Sequence, residues 1–167
     1  MTITLYISEL LYDLKNKNDL EVSALPDAEI RYRVQAGSEK DDELKRDIIE
    51  ATAHLSSELS RFLTHHYYTD SDNIIGLPDA IVFDFAPNER RQINKIPAVA
   101  DMLHSIIVNM AMGRYYQSVS MADLAKERES RAALDLKTIQ TLIYEKLPPP
   151  IPTRDDYGIK NNTDIVI

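Results

Sequence analysis

The sequence contains no cysteine and only four glycines, at positions 37, 76, 113 and 158. Without cysteine there is no disulfide framework, no thiolate metal site and no cysteine nucleophile, so stability must come from packing. Four dispersed glycines cannot assemble the phosphate-cradling loop of either nucleotide-binding type. The chain also lacks the Gly-x-Ser-x-Gly elbow of the α/β hydrolases. Long apolar runs are missing too: the most apolar stretch is broken by Asp101, His104 and Asn109, short of the roughly 18 residues that a membrane span needs. Positive charge is scarce, with 19 Lys and Arg against 27 Asp and Glu and a formal net charge of -8. Phosphate neutralisation needs clustered bases, so sequence-specific nucleic-acid binding is not expected. The opening Met1-Thr-Ile-Thr-Leu-Tyr has neither the basic region nor the cleavage site of a signal peptide, which predicts retention in the cytoplasm.

What is present is helical periodicity. Thr2 to Tyr6 alternate as a short strand, and Ser8 is placed to cap a helix over about 8–16, ended by the turn signal Asn16, Asn18 and Asp19. Pro26, with Asp27 and Glu29 behind it, opens a short helix over 26–36 that Gly37 stops. Ser38 and Asp41 resemble a capping box and start a long helix over 39–64, whose stripe is Leu44, Ile48, Ala51, Leu55, Leu59 and Phe62. A second long helix over 97–118 is apolar around most of its circumference and belongs in the middle of the bundle. Ser120 and Asp123 open a third, over 121–146, with the stripe Leu124, Ala132, Leu136, Ile139 and Ile143, closed by Pro148-Pro149-Pro150.

Some thirty residues separate the first two long helices, too many for a structureless loop in a compact domain. Within them Ile81-Val82-Phe83-Asp84-Phe85 lies between Pro78 and Pro87, with Phe83 and Phe85 on one face and Val82 and Asp84 on the other. Gly76-Leu77-Pro78-Asp79 is placed to turn this strand back on Asn73-Ile74-Ile75. The expected architecture is therefore mainly α: a bundle of three long helices with short N-terminal helices, and a β-hairpin or extended arm at about 69–96. Residues 1–150 form one domain and 151–167 an extended tail with the apolar end Ile165-Val166-Ile167.

Few residues invite chemistry. His65 and His66 are adjacent, but helix neighbours diverge by about 100° and no ligand stands at zinc-motif spacing, so structural or surface roles are expected. His54 and His104 each stand alone on a long helix. The run Lys126 to Arg131 reads as a solvated helix face with an i,i+4 pair, Glu127 and Arg131. Arg90, Arg91 and Lys95 form a small basic patch at the end of the arm, able to touch phosphate and so the candidate DNA-proximal residues, although three charges give little affinity. A narrow hairpin cannot cover both of its own faces. Ile81, Val82, Phe83 and Phe85 must therefore be covered either by the chain's own bundle or by a neighbouring subunit, and contact with a neighbour is expected for them together with Tyr67, Tyr68, Ile165, Val166 and Ile167. No catalytic residue, cofactor or metal is expected.

Two segments carry a family resemblance. Ile48-Ile49-Glu50-Ala51 through Phe62-Leu63 leads into a variable loop, and a proline-led helix follows, from Ile96-Pro97-Ala98-Val99 to Ala111-Met112-Gly113-Arg114-Tyr115-Tyr116. This order, with a further helix and a proline-containing close over 121–152, resembles the head-tail connector family of tailed phages and the related protein of Mu-like prophages. The resemblance spans about residues 39–150 and consists of residue types and spacing. It departs from the family in a longer loop at 64–96, an extra helix at 26–36 and a tail after 150. It implies a homo-oligomeric ring under the portal, with portal and tail-completion proteins as partners, made in the host cytoplasm and then incorporated in the virion. The residues by themselves leave open a small helical protein-binding or regulatory module, and an enzyme built from scattered carboxylates with His65 or His66.

Overall fold

A computed structural model describes residues 1–68, 78–86 and 96–144. The chain is mainly helical with a small three-stranded antiparallel sheet, running β1 (Thr2–Tyr6), α1 (Ile7–Ser23), α2 (Ala28–Val34), a 3-10 turn (Ser38–Lys40), α3 (Asp41–Glu58), β2 (Leu63–Tyr68), β3 (Ala80–Phe85), α4 (Ile96–Ser118) and α5 (Ala122–Tyr144). The expected hairpin strand at 73–75, the basic patch at 90–95, the proline run at 148–150 and the tail at 151–167 lie outside the described residues.

Helix α4 is the axis of the fold. Leu103, Ile106, Ile107, Val108, Ala111, Met112, Tyr115 and Tyr116 are all buried, and α1, α3, α5 and β1 pack around them. A side chain at Gly113 would crowd α5, since a Cβ there would stand 3.2 Å from Cγ of Glu129. Among the described residues no helix is long and apolar enough to cross a membrane.

Two helix ends differ from expectation, each for a local reason. Helix α1 continues through Asn16, Asn18 and Asp19 to Ser23, because Asn18 does not turn the chain. Its amide donates to the Val34 carbonyl at 3.2 Å and its carbonyl oxygen accepts from the Ala36 N–H at 2.8 Å, so its hydrogen bonds are tertiary rather than local. Helix α3 stops at Glu58 rather than 64. Thr52 and Ser56 donate back to the carbonyls of Ile48 and Thr52 near its end, and Thr64, Tyr67 and Tyr68 beyond it prefer a pleated partner surface.

Ser120, expected to cap the last helix, instead ends α4 in the left-handed region with φ 64°. The Met121 N–H then donates to the Tyr116 carbonyl at 2.8 Å, closing the turn into α5. A Cβ is strained in that backbone region, so Ser120→Gly is expected to raise the unfolding free energy by about 0.5–1 kcal/mol. Chemical denaturation of the two proteins measures this, and a destabilised Ser120→Gly would contradict it.

The segment expected to project as an arm is the middle strand of the sheet, in the order β1-β3-β2. Thr2 to Tyr6 pair with Asp84 to Ala80 on one side, and Leu63 to Tyr68 pair with Phe85 to Ile81 on the other, with an irregularity between Leu63 and His65. The ends are fastened as well: the Phe85 N–H donates to the Met1 carbonyl at 2.8 Å, and the Ala86 N–H to the Phe62 carbonyl at 2.9 Å.

Candidate functional site

The sheet has one face on the helices and one away from them. Ile3, Leu5, Ile81, Phe83 and Phe85 point inward and join the hydrophobic core with α3 and α4. Register then places Thr2, Thr4 and Tyr6, Ala80, Val82 and Asp84, and His65 and Tyr67 on the outer face. The Thr2 hydroxyl donates to the Asp84 carboxylate across this face at 2.6 Å.

This arrangement corrects the expectation for the arm. Ile81, Phe83 and Phe85 are enclosed by their own chain. Val82, on the outer face, is only 5% exposed and stands between Thr4 and Tyr67 on the neighbouring strands. A two-stranded hairpin would have left a face bare, but β1, some eighty residues upstream, supplies the third strand, and three strands against helices form a stable layer. Tyr68 also turns inward: its hydroxyl donates to the Ile49 carbonyl at 3.4 Å and its ring meets that of His66 edge-on. Burial raises its phenol pKa. Of the expected contact residues that are described, Tyr67 stays on the surface, 49% exposed, as does Tyr6 on the opposite outer strand at 53%. Ile165, Val166, Ile167, Arg90, Arg91 and Lys95 lie outside the described residues.

A second polar assembly runs through the core where α1, α4 and α5 meet. Asn18 donates to the Tyr116 hydroxyl at 3.3 Å, and Tyr116 donates to the Glu21 carboxylate at 2.6 Å. Glu21 forms an ion pair with Arg128, which also donates to the Asn109 carbonyl oxygen at 3.0 Å. Burial pushes the Tyr116 phenol up to about 12, so this hydroxyl stays protonated and donating. Arg128 is 7% exposed, although the sequence around it reads as a solvated face. The overlooked signal is spacing: Leu124, Arg128, Ala132 and Leu136 recur every four residues, which puts Arg128 in the buried stripe.

Beside this network a cleft of about 300 Å³ is lined by Lys17, Ser105, Asn109, Arg128, Arg131 and Asp135. Burial, and then the positive charge of Arg128, lower the Lys17 pKa. The cleft is charge-balanced, because Glu21 pairs with Arg128, Glu127 pairs with Arg131, and the Asp13 and Asp135 carboxylates act on Lys17. His104 is bonded to Asp13 at 2.8 Å, and His54 lines a groove of about 380 Å³ with Met110, Arg114, Ala132 and Leu136. Among the described residues no three His, Asp or Glu side chains are grouped to hold a metal ion.

On α3, Asp47 is half-buried between Glu43 and Glu50. Burial first and then these two charges push its carboxyl up to about 6 from 3.8, against the opposing pull of Arg114. A folded-state pKa above the unfolded value means that ionisation costs stability: the cost is absent below about pH 4 and complete above about pH 6. Asp47→Asn removes it. After discounting for the exposed half of the side chain, this variant is expected to be more stable by about 1 kcal/mol at pH 7.5 and equal to the parent near pH 4. Denaturant melts at the two pH values measure this, and a pH-independent difference would contradict it.

The fold thus offers three arrangements: an outer sheet face with exposed tyrosines whose single carboxylate, Asp84, is bonded to Thr2, a buried ion-pair network that fastens helices together, and clefts with balanced charge. The first can make a contact, the second can hold a shape, and among the described residues the third brings no nucleophile, base and oxyanion donor to one point. Searches against protein-family models, curated proteins and solved structures found no match to this chain.

Proposed function

We propose that this chain is a structural adaptor subunit of a phage or prophage head-to-tail junction, forming a homo-oligomeric ring that docks to the portal. The observation that carries the reading is the order of elements. Helix α3 leads through a sheet segment to the proline-led α4 at the centre, and α5 follows after a short turn, which is the order that the phage adaptor resemblance implies. The net charge of -8 supports it, since an acidic wall would not grip DNA passing through a ring. The role is assembly without catalysis, in the host cytoplasm and then in the virion, with portal and tail-completion proteins as neighbours.

A second reading, a small helical protein-binding or regulatory module, is favoured by the groove with the apolar floor Met110, Ala132, Ala133 and Leu136. The reading frames on either side of this one separate the two. Portal, capsid and tail frames favour the adaptor, and regulators favour the module. Light scattering and electron micrographs of the purified protein, alone and mixed with the portal protein encoded beside it, test the adaptor directly. Rings or portal-bound particles are expected; a monomer that ignores the portal would overturn the reading.

A further inference from the structure

Among the described residues both outer strands of the sheet present an open edge. Among the described residues β1 and β2 each pair with β3 alone, so one row of backbone N–H and C=O groups on each is unpaired and available to another strand. Folded proteins usually protect such edges with charged residues or proline. Here β1 is Thr-Ile-Thr-Leu-Tyr and β2 is Leu-Thr-His-His-Tyr-Tyr, without a single Asp, Glu, Lys, Arg or Pro, in a chain that is 28% charged.

The missing charge selects the partner. Copies of a chain with net charge -8 repel one another wherever acidic surface meets acidic surface, so self-contact is least opposed at the uncharged strands. Nucleic acid would find no counter-charge on these strands, and a basic protein only the Asp84 carboxylate, which already accepts from Thr2. Strand direction selects the geometry. Both β1 and β2 run antiparallel to β3 and hence parallel to each other, so β2 of one copy can continue into β1 of the next without reversing direction. A contact that uses two different edges is head-to-tail, and repeated around a rotation axis it closes a ring. A single pairing of five or six residues is small for a stable dimer, but ring closure gives every subunit two.

We propose that copies of this chain associate head-to-tail by strand addition, the outer edge of β2 in one subunit pairing in parallel with the outer edge of β1 in the next. The inference rests on the assembly reading above and names the surface that performs it. Exposed Tyr6 and Tyr67, on the same outer face near these two edges, then cover the seam on each side.

Because the natural chain has no cysteine, engineered thiols report the contact cleanly. Thr4 and Tyr67 both oppose Val82 and so sit two strand spacings apart within one subunit, roughly 9.6 Å, beyond the reach of a disulfide of about 7 Å. The full-length double variant Thr4→Cys/Tyr67→Cys is oxidised at high protein concentration, beside the corresponding pairs at Thr2 and at Tyr6, which cover the neighbouring registers. At least one pair is expected to give a ladder of cross-linked multimers, while each single variant gives none. Thr4→Lys, an exposed change that charges the edge, is expected to shift the multimer toward monomer without altering the circular dichroism spectrum. Dimers from Tyr67→Cys alone would overturn the proposal in favour of a two-fold contact. Multimers by light scattering without cross-links in any pair would overturn it too and leave the adaptor reading standing. A monomer at all concentrations that also ignores the portal would overturn both.

Discussion

Arg128→Ala is expected to lower the unfolding free energy by about 3–5 kcal/mol, the usual cost of removing one partner from a buried ion pair. The cost has a specific source. Glu21 remains among α1, α4 and α5 with its charge uncompensated, and Asn109 loses the guanidinium that it accepts from. For a chain of this size the thermal midpoint would fall by roughly 10 °C. Arg131→Ala, three residues on, provides the contrast. Its partner Glu127 is one turn away and both side chains are more than half exposed, so a change within about 0.5 kcal/mol is expected. The double variant Glu21→Gln/Arg128→Met, which removes both charges and keeps the volume, is expected to be more stable than Arg128→Ala. Equal, small effects at Arg128 and Arg131 would mean that this face of α5 is solvated after all.

Phe83→Ala is expected to cost about 3–5 kcal/mol, as for other fully buried phenylalanines. The loss should be the same at every protein concentration, because this ring is fully buried in the core of its own chain, on a strand flanked by β1 and β2. Had the ring been covered by a neighbouring subunit, truncation would weaken association and leave the isolated subunit's stability nearly unchanged. Equilibrium denaturation at two concentrations a hundredfold apart separates the alternatives. Thr4→Ala, on the outer face of the same sheet, should change subunit stability by less than about 0.5 kcal/mol.

The helical part of this fold is legible in the sequence because its signals are local. The stripes Leu44-Ile48-Ala51-Leu55 and Ala132-Ile139-Ile143 are buried, and Pro97 stands in the first turn of α4. The alternation from Thr2 to Tyr6 forms its strand, and the two faces of Phe83 and Val82 are as their spacing implies. What could not be read was which strand meets which. The hydrogen bonds of β3 go to residues about eighty positions upstream and to a segment, Leu63–Tyr68, that continues a helical stripe on paper. Local propensity says nothing about such partners, and a strand without its third neighbour looks like an arm.

The polar core was obscured differently. By residue type Asn18 resembles a turn residue and Arg128 a surface charge, whereas their positions in the buried stripes of α1 and α5 point to the interior. Asn18, Tyr116, Glu21, Arg128 and Asn109 satisfy one another only once three helices are in place, so no single segment announces the network. The proposed contact surface is half legible: Tyr67 is exposed, but the backbone edges beside it become visible only when the strand order is known.

Amide hydrogen exchange, followed at low and at high protein concentration, tests the central claim that β3 is sealed within its own subunit while β1 and β2 keep edges for a neighbour. The amides from Ile81 to Phe85 are expected to exchange slowly at both concentrations. The outward amides of Thr2–Tyr6 and Leu63–Tyr68 should exchange quickly when dilute and slow down when concentrated. Fast exchange in β3 when dilute, or outer strands whose protection is unchanged by concentration, would contradict the account.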